Sequence, residues 1–428
     1  MKFKSYSFKE LLSNIVDNRG KTCPVGDTGL PLIATNCIKQ HSLYPVFEKV
    51  RYVSDETYNN WFRGHPQPGD MIFVCKGSPG RVNWVPDPVN FCIAQDMVAI
   101  RADTTKVYPK YLFALLRSQT SQQKILNMHV GSLIPHFKKG DFGNLYFELP
   151  EDLEYQKKVG DAYFDFCLKI ESNTQTNQTL EQMAQAIFKS WFVDFDPVKA
   201  KMNGEQPEGM DAVTASLFPE KLVESELGLI PEGWEVGDLS DLMDFNPKRT
   251  LKKGTIAPYL DMKNMPTSGH LALDIYDREM GSGTKFKNGD SLLARITPCL
   301  ENGKTAYVDF LEDEQVGWGS TEYIVMRSKS DSYKYFSYYM ARFEPFRKFA
   351  IQSMTGTSGR QRAQAQTVQT MPFAIPPISI LEKFDEFVAP NMQMIKSHGS
   401  ENRTLAALRD TLLPKLLSGE IDLAETTI

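Results

Sequence analysis

Six histidines (His41, His65, His129, His136, His270, His398) and six cysteines (Cys23, Cys37, Cys75, Cys92, Cys167, Cys299) are the side chains of this 428-residue chain best suited to hold a metal or act as a nucleophile. Their spacing supports neither role. No Cys-x-x-Cys pair occurs, no Cys/His cluster has metal-ligand spacing, and no metal is expected. The cysteines read as buried thiols in a reducing compartment. Gly20-Lys21-Thr22 and Gly303-Lys304-Thr305 look like the end of a phosphate-binding loop. That loop also needs a glycine five residues before its second glycine, and those positions hold Ile15 and Pro298. An amino-methyltransferase needs an Asn/Asp-Pro-Pro-aromatic loop to hold a flipped base. The nearest strings are Asn246-Pro-Lys, Asp87-Pro-Val and Asp196-Pro-Val. No Gly-x-Gly-x-x-Gly follows a strand pattern, and no Glu-x-Lys of a metal-dependent nuclease occurs. These gaps weaken the case for an enzyme without excluding one.

What the chain does offer is a set of donors and amides on loops. In the first half these are Lys76, Ser78, Arg81, Ser132, His136, Lys138 and Lys139. In the second they are Arg295, Thr297, Lys304, Thr357, Ser358, Arg360, Gln361 and Arg362. Loops carry variable contacts on a fixed scaffold. Arg and Lys suit guanine, Gln and Asn suit adenine, and many basic groups touch only phosphate. The competing reading of each is a solvated surface group. Arg360-Gln-Arg362 is the strongest string, because it follows a Gly-Thr-Ser-Gly turn and combines fork donors with an amide. The net charge of −5 argues against nucleic acid only superficially. It divides as +6 over 1–150, −9 over 151–234, +1 over 235–377 and −3 over 378–428. Phosphates respond to local patches, not to the total. For the second basic segment taken alone, chance unevenness explains the count.

Those loops need elements to hold them, and the chain supplies two similar sets. Asp17-Asn-Arg-Gly-Lys-Thr22 resembles Phe245-Asn-Pro-Lys-Arg-Thr250, and Pro68-Gly-Asp-Met-Ile-Phe73 resembles Asn288-Gly-Asp-Ser-Leu-Leu293. Lys110-Tyr-Leu-Phe and Lys334-Tyr-Phe-Ser, Gly131-Ser-Leu and Gly356-Thr-Ser, and Thr179-Leu180 and Thr404-Leu405 follow in the same order. An offset near 225 residues implies two modules rather than a solenoid. Short strand-like runs (Met71 to Cys75, Asp96 to Ile100, Glu322 to Met326) alternate with turns, and helices are expected near Pro109–Ser118 and Ser332–Arg342.

Each half then ends in a long helix. Val159, Tyr163, Phe166, Ile170, Asn173, Asn177, Leu180, Ala184, Ile187 and Trp191 recur in alternating steps of four and three, a heptad seam. The second copy, Phe384, Val388, Asn391, Ile395, His398, Asn402, Leu405, Arg409, Leu412 and Leu416, is weaker but apolar at both ends. Pro150 and Pro377 mark the entries, and Pro197 and Gly419 the exits. A helix of about 37 residues, roughly 55 Å long, leaves its stripe wet unless paired. A pseudo-twofold makes the two helices antiparallel and sets Asn173 and Asn177 against His398 and Asn402. The alternative is that these polar positions face solvent. A Pro-, Gly- and Glu-rich crossover, with a short helix near Asp211–Phe218, joins the halves.

Three strings are similar to one known family, the specificity subunits of type I restriction–modification systems. Leu180-Glu-Gln-Met-Ala-Gln-Ala-Ile-Phe-Lys-Ser-Trp-Phe-Val-Asp-Phe-Asp-Pro197 resembles the end of their first central helix. Leu412-Leu-Pro-Lys-Leu-Leu-Ser-Gly-Glu-Ile421 resembles the end of the second, and Leu229-Ile-Pro-Glu-Gly-Trp234 resembles the approach to the second variable module. The resemblance implies an α+β chain: two similar mixed target recognition domains separated by two long helices in an antiparallel coiled coil, related by a pseudo-twofold. The expected divisions are a first recognition domain over 1–150, a helix over 151–193, a crossover over 194–234, a second domain over 235–377, and a helix with a tail over 378–428. The resemblance further implies a non-catalytic subunit that reads a bipartite, gapped duplex DNA site. Its partners would be two modification subunits, which carry S-adenosylmethionine and methylate adenine, and restriction subunits, which use ATP and Mg. This chain itself would hold no cofactor.

Phe188, Trp191 and Phe192, with Leu413, Leu416 and Leu417 as the matching group, exceed what a two-helix pair can cover. They are candidates to contact a modification subunit, unless the adjacent recognition domain docks on them. With no signal-peptide pattern and no apolar run near the roughly 20 residues that span a bilayer, a cytoplasmic protein is expected. A DNA-modifying enzyme with unfamiliar motifs and a coiled-coil scaffold remain the alternatives.

Overall fold

A computed structural model describes residues 1–18, 22–128, 135–272, 274–357 and 359–421. The chain divides into two compact units, residues 1–173 with 401–428 and residues 174–400.

In the first unit a four-stranded antiparallel sheet runs in the order Leu12–Val16, Met97–Ala102, Met71–Val74, Val82–Trp84. Its strands alternate between two cores, because successive side chains leave a strand on opposite faces. Met71, Phe73, Val98 and Ile100 pack with Tyr111, Leu112 and Leu116 of the helix Pro109–Arg117. Ile72, Val74, Met97 and Ala99 pack with Ile33 and Ile93 of a smaller sheet, ordered Arg51–Val53, Leu30–Ile33, Cys92–Ile93. A strand covered on both faces reads as an unbroken apolar run, which is why Met71–Val74 carries no polar residue. Strand Phe3–Ser7 pairs with Tyr146–Pro150.

The second unit repeats this order: Met243–Phe245, Tyr323–Ser328, Ser291–Ala294, Thr305–Tyr307 in the larger sheet. The smaller sheet is Tyr276–Glu279, Ile256–Leu260, Gly317–Gly319, with Thr284–Phe286 added at its edge. The parallel pairing of Leu30–Ile33 with Cys92–Ile93 recurs here between Ile256–Leu260 and Gly317–Gly319. Glu235–Asp238 pairs with Pro372–Ile375 as Phe3–Ser7 does with Tyr146–Pro150. The helix expected near Ser332–Arg342 is a 3₁₀ turn, Asp331–Tyr333, followed by Phe336–Arg342. The crossover is more structured than expected. It holds helices Asp196–Met202 and Ala212–Ser216, the latter capped by Asp211, and a hairpin of Leu222–Ser225 with Gly228–Pro231.

The repeated Gly-Asp pair has a structural cause. Gly69 and Gly289 take φ of +84° and +90°, which suits glycine. The next residue's carboxylate folds back onto the N–H three positions earlier, Asp70 to Gln67 and Asp290 to Lys287, both at 2.8 Å. Asp70 also pairs with Arg101, and Asp290 with Arg249 and Arg327.

The long helices are Leu153–Lys189, 37 residues, and Ile378–Ser418, 41 residues. In the first unit Tyr155 donates to the Leu416 carbonyl, Arg409 lies at Cys167 and Tyr163, and Asn173 donates to Glu401 and Asn402 at 2.7 and 2.9 Å. In the second, His398 Nδ1 meets Asn177 Oδ1 at 2.7 Å, and Phe188 and Trp191 pack on Phe384. As one number rises the other falls, so the segments are antiparallel within each unit, in the expected register. Asn173 is 3% exposed, so the solvent-facing alternative does not hold there. Gly160 lets the helix pass the start of Pro109–Arg117: a Cβ there would lie 2.5 Å from the Tyr111 nitrogen.

One expectation needs correction. Phe188, Trp191 and Phe192 are 1%, 5% and 1% exposed in the core of the second unit, against Phe336, Tyr339, Trp234 and Phe218. Leu413 and Leu416 are buried in the core of the first, and Leu417 packs at its margin. The two units themselves cover this apolar surface, as the alternative of docking by the adjacent domain expected. Four cysteines are buried as expected, but Cys23 and Cys299 are only half-buried.

Candidate functional site

The loop that leaves the central strand of each larger sheet is held by the same hydrogen bonds. In the first unit the N–H of Cys75 donates to the Asp96 carbonyl, that of Gly77 to Pro135, and that of Phe137 to Cys75, all at 2.9 Å. In the second, Arg295 donates to Glu322 at 2.9 Å, Thr297 to Gln361 at 3.1 Å, and Ala363 to Arg295 at 2.9 Å. Residues 75 and 77 match 295 and 297, while 96, 135 and 137 match 322, 361 and 363. The isolated bridges Lys76 to His136 and Ile296 to Arg362 complete the likeness. Each loop is thereby tied to the start of the neighbouring strand and to the segment that follows two short helices, Pro109–Arg117 and Gln119–Met128 in the first unit, Phe336–Arg342 and Glu344–Gln352 in the second.

These bonds bring some of the sequence-chosen residues together. Lys76 and His136 share a hollow of about 220 Å³ with Cys75, Gln95 and Asp96. Lys76 and Lys138 are exposed, and Ser78 is half-buried. Arg295, Thr297, Gln361 and Arg362 meet in the second unit, with Thr357 and Arg360 exposed beside them. Others are already engaged within the protein. Lys139 pairs with Asp17 at 2.9 Å, Arg81 reaches the Ile38 carbonyl at 3.5 Å, and Lys304 donates to the Met262 carbonyl at 2.6 Å. Arg295 Nη2 donates to Gln364 Oε1 at 2.8 Å. Ser132 and Ser358 lie outside the described residues, as do His129 and the Gly20-Lys21 pair.

Sequence reasoning passed over the acids. Asp96 and Glu322 begin matching strand runs, and only as strand starts did they draw notice. Glu322 accepts from Arg362 Nε at 2.9 Å on both oxygens and from Nη2 at 2.7 Å. This carboxylate raises the Arg362 pKa above the usual guanidinium value. Gln364 was missed too, although it lies two residues beyond the strongest string. A larger cleft of about 750 Å³ in the second unit, lined by Lys287, Arg327, Lys334 and Lys396 and by acids such as Asp309 and Glu314, contains none of the chosen residues. Its charges are of both signs, and Lys287 already pairs with Glu314 at 2.8 Å.

Elsewhere the described residues hold no group of three His, Cys, Asp or Glu side chains placed to bind a metal. Among them no helix is long and apolar enough to cross a membrane. His270 is fully buried, with Nε2 3.5 Å from Asp309 Oδ2, and its ring lies edge-on to Tyr338. The loop clusters can therefore present donors and acceptors to a polar surface.

Comparison with known proteins gives a consistent picture. The family model described as the type I restriction modification DNA specificity domain matches residues 29–182. The type I restriction enzyme HindI specificity subunit of Haemophilus influenzae is 26% identical over 82% of this chain and 86% of its own length. The MjaIX specificity subunit of Methanocaldococcus jannaschii is 26% identical over 74% of this chain and 70% of its own. The crystal structure of the type I restriction–modification S subunit from M. genitalium has the same fold, with a TM-score of 0.54 at 14% identity, covering 97% of this chain and 96% of that one.

Proposed function

We propose that this chain, which belongs to the specificity-subunit family of type I restriction–modification systems, recognises DNA sequence for such a complex, each unit reading one half of a two-part site. The observation that carries this reading is the duplicated loop cluster: one set of main-chain hydrogen bonds builds the same presenting surface twice, with different side chains on it. Different side chains on one frame are what two different half-sites need. Two modules on one face of a duplex reach segments about one helical turn apart. Each base pair read adds discrimination of about 1–3 kcal/mol, so requiring both halves multiplies specificity.

The chain performs no chemistry in this reading. Modification subunits bring S-adenosylmethionine and methylate adenine, and restriction subunits bring ATP and Mg. The complex works in the cytoplasm, on the cell's own DNA. The long helices set the number of base pairs between the two readings.

Footprinting the complex assembled with modification subunits tests the proposal. Two protected segments separated by an unread gap are expected. A single continuous site, or protection without sequence preference, would overturn it. Methyl transfer by the purified chain with S-adenosylmethionine alone would overturn the non-catalytic part.

A further inference from the structure

Glu322 grips Arg362 along one edge, through Nε and Nη2. A guanidinium is planar and carries its five donors in a fixed fork. With the Nε–Nη2 edge taken, the edge left is the Nη1–Nη2 end, where among the described residues Nη1 makes only a long 3.4 Å contact to the Arg360 carbonyl. That end is the pair of parallel donors that fits O6 and N7 of guanine in the major groove. The arginine side chain is 40% exposed and the glutamate 22%, so the acid is the more sheltered partner.

Both partners are fixed from behind. Glu322 takes an N–H from Arg295 on its carbonyl and donates its own to Ser320 Oγ at 3.1 Å. Arg362 exchanges main-chain hydrogen bonds with Thr355 and is bridged to Ile296. On the same loop, Arg295 Nε and Thr297 Oγ1 are buried with no hydrogen-bond partner among the described residues. Buried polar atoms without partners cost stability that a docked polar ligand restores. In the first unit the two matching positions again hold an acid and a base, Asp96 and His136, around one hollow.

We infer that Glu322 is a positioning residue that determines specificity: its carboxylate aims the end-on fork of Arg362 at a guanine in the half-site read by the second unit. This rests on the reading of the chain as a DNA-sequence recogniser. An untethered arginine samples many rotamers and meets a phosphate as readily as a base. A clamped one loses less freedom on docking and keeps one direction.

The test uses the full chain assembled with modification subunits and duplexes carrying each base at every position of both half-sites. Methylation kcat/KM is the readout, with thermal unfolding of each variant as the control for folding. The parent complex should prefer guanine at one position of the second half-site. Glu322→Gln keeps the shape and removes the charge. It should cut that preference by on the order of tenfold, leaving every position of the first half-site unchanged. Arg362→Ala should abolish the same preference, and Glu322→Gln added to it should do nothing more. Arg362→Lys, which keeps the ion pair but lacks the fork, should lose the preference while retaining affinity for DNA. Full preference in a folded Glu322→Gln complex would overturn the inference. So would a loss spread equally over both half-sites, or an Arg362→Ala complex with unchanged preferences. A parent complex that discriminates no base in either half-site would instead remove the reading beneath it.

Discussion

Two carboxylates of the second unit, Asp385 and Asp290, are buried away from the loop cluster. Asp385, on the second long helix, accepts the Tyr335 N–H at 2.7 Å and is 6% exposed. Burial pushes its pKa up to about 7, against the pull of that hydrogen bond and of Lys334. The unfolded value is about 3.9. The folded state therefore holds its proton more tightly, and the stability this contributes is full below about pH 4 and lost as pH rises through 7. Urea unfolding should show the second unit weakening by roughly 2–4 kcal/mol over that window. Asp385→Asn, which keeps the acceptor, should flatten the slope and be the more stable form at pH 8. Asp290 is fully buried, with Arg249 and Arg327 on its carboxylate. Removing one partner of such a pair costs about 3–5 kcal/mol. Asp290→Ala should therefore lower the melting temperature more than Asp70→Ala, whose charged partner Arg101 is 35% exposed and can turn to solvent.

At the level of elements, the long helices carry a polar cluster in an apolar seam. Asn173 donates to Glu401 and to Asn402 in the first unit, and Asn177 meets His398 in the second. Such groups cost stability and fix register, because any slip leaves them facing apolar neighbours. Asn173→Leu should destabilise by about 1–3 kcal/mol, since Glu401 and Asn402 lose a buried donor. Calorimetry of the single and of Asn173→Leu with Asn402→Leu separates the two contributions: the double should recover part of the loss. This register was legible in the sequence, because heptad steps of 3 and 4 and an offset near 225 fix which positions oppose. Strand order was legible only as repetition, since Met71–Val74, apolar throughout, gives no sign of which face meets which core. The fate of Trp191 was not legible, because a heptad says that one side is buried and cannot say against what. Glu322 was hidden for a related reason: 40 residues separate it from Arg362, and only the fold closes that distance.

For the molecule as a whole, helix length and site geometry are one quantity under the proposed function. Seven residues added to each long helix at the polar cluster preserve the heptad and lengthen each by about 10.5 Å. Footprints should then show both half-sites unchanged in sequence and the gap widened by roughly three base pairs, taking 3.4 Å per step. An unchanged gap would mean that something other than the helices sets the distance.

Each recognition module enters and leaves through one laced pair of strands, Phe3–Ser7 with Tyr146–Pro150 and Glu235–Asp238 with Pro372–Ile375. A loop that grows, shrinks or changes charge at the reading end strains a structure whose two chain ends are already tied together. The helix that follows is itself packed into the module's core, through Tyr155, Val159 and Tyr163 in the first unit and Phe384 and Val388 in the second. New recognition chemistry can therefore arise by local change, because the wrist stays closed whatever the fingers become.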